Sequence, residues 1–356
     1  MLVWFLPRVL ALPITFTLMN NQDKVLLSHG SGGRLSHSLI KDVFLKYFTE
    51  PQLLNNEDAS TIPDLPAGKL CFSTDSYVVK PIFFPGGNIG KLAVCGTVND
   101  LSMRGALPLY LSAGFIIEEG FLIKDLEMIA QTMFQYSQKS SVKIITGDTK
   151  VVERGAADKI FINTSGVGII PEGRSVSTTN AKIGDYILIN GTIGDHGIAI
   201  LSQREGMNFS STIQSDCAPL NMIVESLFNI CSSIHVLKDP TRGGLGTSLN
   251  EVALASKIGI EINEDSIPIS RTVATACEML GLDPLYLANE GKFITFVPPE
   301  EADKILIEMK KNQLGIEASI IGIVTDSHPG LVLMKTIYGA KRVINMPSGE
   351  LLPRIC

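Results

Sequence analysis

Charge is scarce in this 356-residue sequence, at 19% of residues against 45% hydrophobic, and basic residues form no run longer than a pair such as Lys310-Lys311. With a net charge of −6, nothing in the chain is suited to track a nucleic-acid backbone or an anionic membrane surface. No unbroken apolar stretch is long enough to span a bilayer: the first nineteen residues are apolar, but Pro7, Arg8 and Pro13 interrupt them. The six cysteines include no C-x-x-C pair and no Cys/His grouping at zinc spacing, which argues against a structural metal and fits a reducing cytoplasm. The P-loop pattern G-x-x-x-x-G-K-[ST], the dinucleotide pattern G-x-G-x-x-G and the hydrolase pattern G-x-S-x-G are all absent. Any nucleotide site is therefore of another kind.

What is present describes a compact enzyme of about two domains. KLCFSTDSYVV (69–79) and KIFINTSGVGII (159–170) have the β-branched and aromatic content of core strands. Segments 87–106 and 121–140 carry apolar residues at three- and four-residue spacing, as helices packed on a sheet do. Without the regular alternation of a doubly wound sheet, this mixture predicts an α+β fold. The polar connection RSVSTTNAKIGD divides it into an N-terminal domain over 19–174 and a second α+β domain over 175–343. Residues 1–18 read as an upstream extension or misplaced start, with a signal peptide as the alternative. Residues 344–356 have two prolines and no periodic face, and are expected to form a flexible tail ending in Cys356.

Several residues could carry chemistry. Gly30, Ser31, Gly32 and Gly33, just before a helical pattern, could cradle a phosphate with backbone N–H groups. Asp58, Asp75, Asp100, Asp148 and Asp239 sit at strand ends or in tight turns. Each is a turn former or cap if taken singly, whereas converging carboxylates suit Mg²⁺ bridging phosphate oxygens. Lys150, two residues beyond Asp148, and Arg242, beside Gly243-Gly244, are cations that could hold phosphate, and Glu290 in NEG precedes an apolar strand where it could face a cleft. For these three a solvated surface charge is the competing reading. His196, in GDHG, reads as a helix-start residue.

HGSGG, TDSYVV, GTVNDLSMRGALP, TGDTKVV, DPTRGG, NEG and a terminal PRIC, in this order, resemble the HypE family of [NiFe]-hydrogenase maturation proteins, carbamoyl-cysteine dehydratases of the aminoimidazole ribonucleotide synthetase (PurM-like) superfamily. The resemblance runs from Met19 to Cys356, and the PRIC tail is what distinguishes this family within the superfamily. It implies a two-domain PurM-like architecture, paired as a homodimer through the N-terminal domains, with ATP near the interface. It also implies ATP and Mg²⁺ as cofactors, the five aspartates as metal candidates, and Gly30 to Gly33, Asn99, Arg242, Gly243 and Gly244 as the ATP and phosphate-binding set. In the implied reaction a carbamoyltransferase, HypF, loads Cys356. ATP-dependent dehydration then gives a thiocyanate, whose cyanide passes to iron on a HypC–HypD complex. Glu290 and Lys150 are both candidates for the base. The competing functions are a PurM-like kinase or synthetase acting on a diffusible small molecule, and a nucleotide-binding scaffold without turnover.

Overall fold

The computed structural model describes residues 23–55, 57–62, 65–206, 213–349 and 355. The extension 1–18 and Cys356 lie outside them.

Two sheets organise the chain. After the short helices α1 (Arg34–Leu39) and α2 (Pro51–Leu54) comes β1 (Lys69–Tyr77), then a two-residue pair, β2 (Phe83–Phe84) with β3 (Gly87–Asn88). Helix α3 (Ile89–Met103), β4 (Leu107–Glu118), α4 (Ile123–Lys139), β5 (Lys143–Val152) and β6 (Ile160–Ile170) complete the N-terminal half. Its sheet runs β1-β6-β4-β5, with β4 and β5 parallel and the other pairs antiparallel. Strand alternation sends Leu70 and Phe72, each 64% exposed, to one face of β1. Tyr77 is buried on the other face, where α3 packs.

Helix α3 begins where the Asn88 side chain accepts hydrogen bonds from the Gly90 and Lys91 N–H groups, satisfying two donors of its first turn. Nearly every residue of α3 is buried, because the helix lies between the first sheet and elements of the second half. Helix α4 is one-sided instead, burying Leu126, Ile129, Ala130 and Met133 at helical spacing.

The second half comprises β7 (Tyr186–Ile189), α5 (Asp195–Arg204), α6 (Asn221–Ile230), β8 (Val236–Lys238), α7 (Gly244–Ser256), β9 (Gly259–Asn263), α8 (Arg271–Leu280), β10 (Ile294–Val297), α9 (Pro299–Lys310), β11 (Ser319–Thr325), β12 (Val332–Lys335) and β13 (Lys341–Ile344). Its seven strands are ordered β13-β12-β9-β11-β7-β10-β8. The expected α+β arrangement is thus present as two sheets with packed helices.

The expectation of a tail free of packing is corrected at two points. Ile344 is buried at the end of β13, whose pairing with β12 the sequence pattern did not mark. Ile355, the penultimate residue, is 5% exposed and belongs to the N-terminal core cluster. Its branched apolar side chain is stabilised by leaving water. Among the described residues, no helix is long and apolar enough to cross a membrane.

Candidate active site

An acidic cavity of about 150 Å³ opens where the two halves meet. β1 contributes Thr74, Asp75 and Tyr77, α3 contributes Gly96 and Asp100, the turn after β8 contributes Asp239, Thr241 and Arg242, and Glu290 enters ahead of β10. Four carboxylates from four segments therefore line one space. Gly96 has no room for a side chain because the Tyr77 ring and hydroxyl occupy the position of its Cβ. Gly244 has φ +62°, and a Cβ there would lie 2.6 Å from the Leu285 and Leu287 carbonyls, so this turn can follow Arg242 only with glycine.

The electrostatics are strained. Burial, with the nearby Asp239 charge, raises the Asp100 carboxyl from 3.8 to about 6, while the Ser73 hydroxyl, donating at 2.7 Å, partly counters it. Burial likewise raises Asp239. Glu290, 3% exposed, is raised well above the usual carboxylate range, first by burial and then by the Cys217 thiol and the carboxylates of Asp216, Asp239 and Asp75. Its Oε1 atom is buried without a hydrogen-bond partner. A cavity that collects carboxylates at such cost, with one oxygen unsatisfied, fits a cation or a donor group of a bound molecule.

A second cavity, of about 270 Å³, lies against the opposite edge of the first sheet. His29, Gly30 and Gly32 border it together with Asp148 and Lys150 of β5, over a floor that includes Phe44, Phe48 and Phe115. Asp148 and Lys150 project on the same side of the strand, as their spacing predicts, and pair at 3.1 Å with both side chains exposed. Gly33 precedes α1, and a Cβ there would meet nothing within 4 Å, whereas the Gly32 N–H is already donated to Ser36 Oγ. The Ser31 hydroxyl is donated to the Leu27 carbonyl.

The expected convergence of five aspartates is therefore corrected. Asp75 is paired with Thr164, Thr164 with Ala113 and Ala113 with Gly147, so Asp75 and Asp148 sit at opposite edges of a four-stranded row, about 14 Å apart across the sheet. Asp58 is exposed and lines neither cavity. Among the described residues, no three His, Cys, Asp or Glu side chains are grouped closely enough to hold a metal ion. Strand order, not residue type, sets the separation, and Mg²⁺ in general takes only one or two protein carboxylates. Asp75, Asp100 and Asp239 line one cavity and could each offer an oxygen to a cation there.

Asn99 also departs from expectation. Its buried side chain accepts from the Leu220 N–H at 2.8 Å and donates to the Ala218 and Glu290 carbonyls at 3.1 and 3.3 Å. Its hydrogen-bonding capacity is spent joining α3 to the second half, beneath the site. Gly243 and Gly244 likewise shape the turn and do not line the cavity.

Two features have little local signal in the sequence. Asp216 accepts from the Glu290 and Gly291 N–H groups at 3.1 and 3.3 Å and pairs with Lys292 at 3.2 Å, fixing the backbone that carries Glu290. His196 is fully buried near the start of α5, bonded to Ser215 Oγ and the Ile355 carbonyl. The apolar run Gly197–Ile200 beside it was the one hint that this histidine faces inward.

Comparison with known proteins places both halves. Residues 56–170 match the AIR synthase related protein N-terminal domain, and residues 182–334 its C-terminal domain. Carbamoyl dehydratase HypE of Bradyrhizobium diazoefficiens is 50% identical over 332 residues, 93% of this chain and 95% of that one. The crystal structure of hydrogenase maturation protein HypE in complex with ATP superposes with a TM-score of 0.90 at 50% identity, covering 93% of this chain and 99% of the other. HypE in the HypE–HypF complex matches with a TM-score of 0.77 at 51% identity, covering 87% and 100%. With this likeness over nearly its whole length, the chain belongs to the HypE family of carbamoyl dehydratases, within the AIR synthase related superfamily.

Proposed function

We propose that this protein converts an S-carbamoyl group on its own Cys356 into a thiocyanate with ATP, supplying cyanide for the iron of [NiFe]-hydrogenase. The observation that carries this reading is the buried, unpartnered Oε1 of Glu290 in a cavity lined by Asp75, Asp100 and Asp239, in a chain whose penultimate residue is held by His196, itself bonded to the segment that braces Glu290.

An amide oxygen is a poor leaving group, so the thiocarbamate oxygen first takes the γ-phosphoryl group of ATP, releasing ADP, and nitrogen loses one proton as C=N forms. Loss of the second proton then expels the oxygen as phosphate and leaves S–C≡N. Mg²⁺ bound between ATP and the aspartates would neutralise charge on the transferring phosphoryl group. Asp100 and Asp239, strained as ionised groups, are the first candidates to face it. Glu290 is the proton acceptor by position, its buried Oε1 being unpartnered; burial alone keeps its proton on, so it acts as base once a bound cation favours its ionised form.

Lys150 and Asp148, across the sheet from this cavity, enter through a second copy of the chain. The exposed sheet face with Leu70, Phe72 and Ile116 supports a homodimer, which would bring the glycine-rich edge of one chain to the acidic cavity of the other. HypF is the carbamoyl donor and a HypC–HypD complex receives the cyanide, in the cytoplasm. The five described cysteines are free, in keeping with that compartment.

The test is to incubate the protein with HypF, carbamoyl phosphate, ATP and Mg²⁺ and to weigh the C-terminal peptide. Carbamoylation followed by loss of one water, both abolished in Cys356→Ala, is the expected result. ATP turnover on a diffusible small molecule by Cys356→Ala would sink the proposal.

A further inference from the structure

Ile355 stands one peptide bond before Cys356, so whatever holds Ile355 governs where the carried group can go. Its side chain is buried in a cluster that includes Phe84, Ile200, Cys217 and Ala288, and its carbonyl accepts a hydrogen bond from His196 Nε2 at 2.7 Å. His196 is fully buried, with the Phe84 ring edge-on at 5.6 Å and 87°. Its Nδ1 lies 2.8 Å from Ser215 Oγ, which itself accepts from the Cys217 N–H at 3.1 Å.

The direction of every hydrogen bond in this chain follows from one fact. A peptide carbonyl can only accept, so Nε2 carries the proton. Burial lowers the imidazole pKa and keeps the ring neutral, so Nδ1 is an acceptor and the Ser215 hydroxyl donates to it. The donors thus run from Cys217 through Ser215 and His196 to Ile355. Asp216, between the two ends of that brace, holds the backbone N–H groups of Glu290 and Gly291. One three-residue segment, Ser215 to Cys217, therefore fixes both the imidazole at the tail and the backbone of the candidate base.

We propose that His196 is the positioning residue for the carrier tail: by gripping the Ile355 carbonyl it fixes the peptide plane from which Cys356 departs, and aligns the thiocarbamate with Glu290. It acts on the carried group through the main chain, by way of the Ile355 carbonyl. Tethering alone raises the local concentration of the carried group, whereas the reaction also requires orientation, which rotation about a free tail would scatter. A single neutral hydrogen bond and one buried isoleucine are also an anchor weak enough to release when the tail visits the carbamoyl donor.

This inference rests on the reading of Cys356 as the carrier, and the experiment separates the two. Full-length protein carbamoylated by HypF is mixed with ATP and Mg²⁺, and the first turnover to thiocyanate is timed by mass spectrometry. The wild type is compared with His196→Leu, His196→Gln and Ser215→Ala. His196→Leu should slow that turnover about tenfold or more. It should leave the rate of carbamoylation by HypF unchanged or faster, ATP affinity unchanged, and alkylation of Cys356 faster. His196→Gln, whose amide N–H can replace the Nε2 donor, should recover most of the lost rate. Ser215→Ala, which frees the ring to adopt the other tautomer, should slow turnover severalfold. A first turnover at the wild-type rate in His196→Leu overturns the proposal, as does equal slowing by Leu and Gln, which would mark a packing role. If His196→Leu fails to bind ATP, the Ser215→Ala rate decides, and a wild-type value there is fatal. If the wild type itself forms no thiocyanate on Cys356, the carrier reading falls and this inference with it.

Discussion

Asp100→Asn removes a charge that the folded protein holds at a cost, and its effect on stability can be worked from the structure. Unfolded, this carboxyl titrates near 3.8; folded, it titrates at about 6, because it is largely buried and faces Asp239. Between those values the folded chain binds the extra proton, so stability falls as pH rises through the window, and the loss is complete above about pH 7. The difference corresponds to about 3 kcal/mol, an upper value because water and ions entering an open cavity relieve part of it. The Ser73 hydroxyl, which donates to the carboxylate at 2.7 Å, can still donate to the amide oxygen of asparagine, so the substitution removes charge and little else. Without ATP or metal, Asp100→Asn should therefore be more stable than wild type at pH 7.5, with Tm higher by at most about 4 °C. The gap should close as pH falls below about 4.5. Thermal unfolding from pH 4 to 8 measures this directly. Adding Mg²⁺ and ATP should raise the wild type and leave Asp100→Asn nearly unmoved, because the cation would draw on the same carboxylate. If Asp100→Asn is the less stable protein at pH 7.5, or if the difference does not change across the window, the argument that this cavity is poised for a cation is wrong.

Replacing the other components gives separable outcomes. Glu290→Gln should lower the first turnover to thiocyanate by about 10²- to 10⁴-fold while Tm stays level or rises, since a buried orphan carboxyl becomes a neutral amide; a Tm collapse would instead make Glu290 a structural residue. Leu70→Asp with Phe72→Asp, on the exposed sheet face, should yield monomers by sedimentation with unchanged circular dichroism and lost turnover. A dimer that persists would move the interface elsewhere. Asn99→Ala deletes three hydrogen bonds across the two halves and should cost about 3 kcal/mol in denaturant unfolding, whereas a loss confined to ATP affinity would return Asn99 to the binding set.

What is legible in the sequence is what has a local signal. Strand β1 and helices α3 and α4 were readable because their apolar spacing is a property of the chain itself. Strands β4 and β5 were missed because they combine buried and exposed positions with glycine and proline, and their pairing partners lie far along the chain. The glycine-rich loop, the NEG and DPTRGG turns and the terminal cysteine could be identified as residues apt for phosphate, proton and sulfur chemistry, since aptness belongs to residue type. Which of them share a space could not, because that depends on sheet order. Asp75 and Asp148 look alike in sequence, each beside small polar residues, yet strand pairing sets them at opposite edges. Asn99 looks like a ligand until its three partners, more than a hundred residues away, are seen to consume it. His196 has the same history in reverse: it reads as a helix start, and only the return of the chain end, 159 residues on, turns it into the group that grips the tail. The sequence determined the chemical inventory and the two-domain α+β plan, because both follow from residue type and periodicity. Tertiary structure decided which carboxylates are strained and which groups meet, because burial and proximity arise only when distant segments pack together.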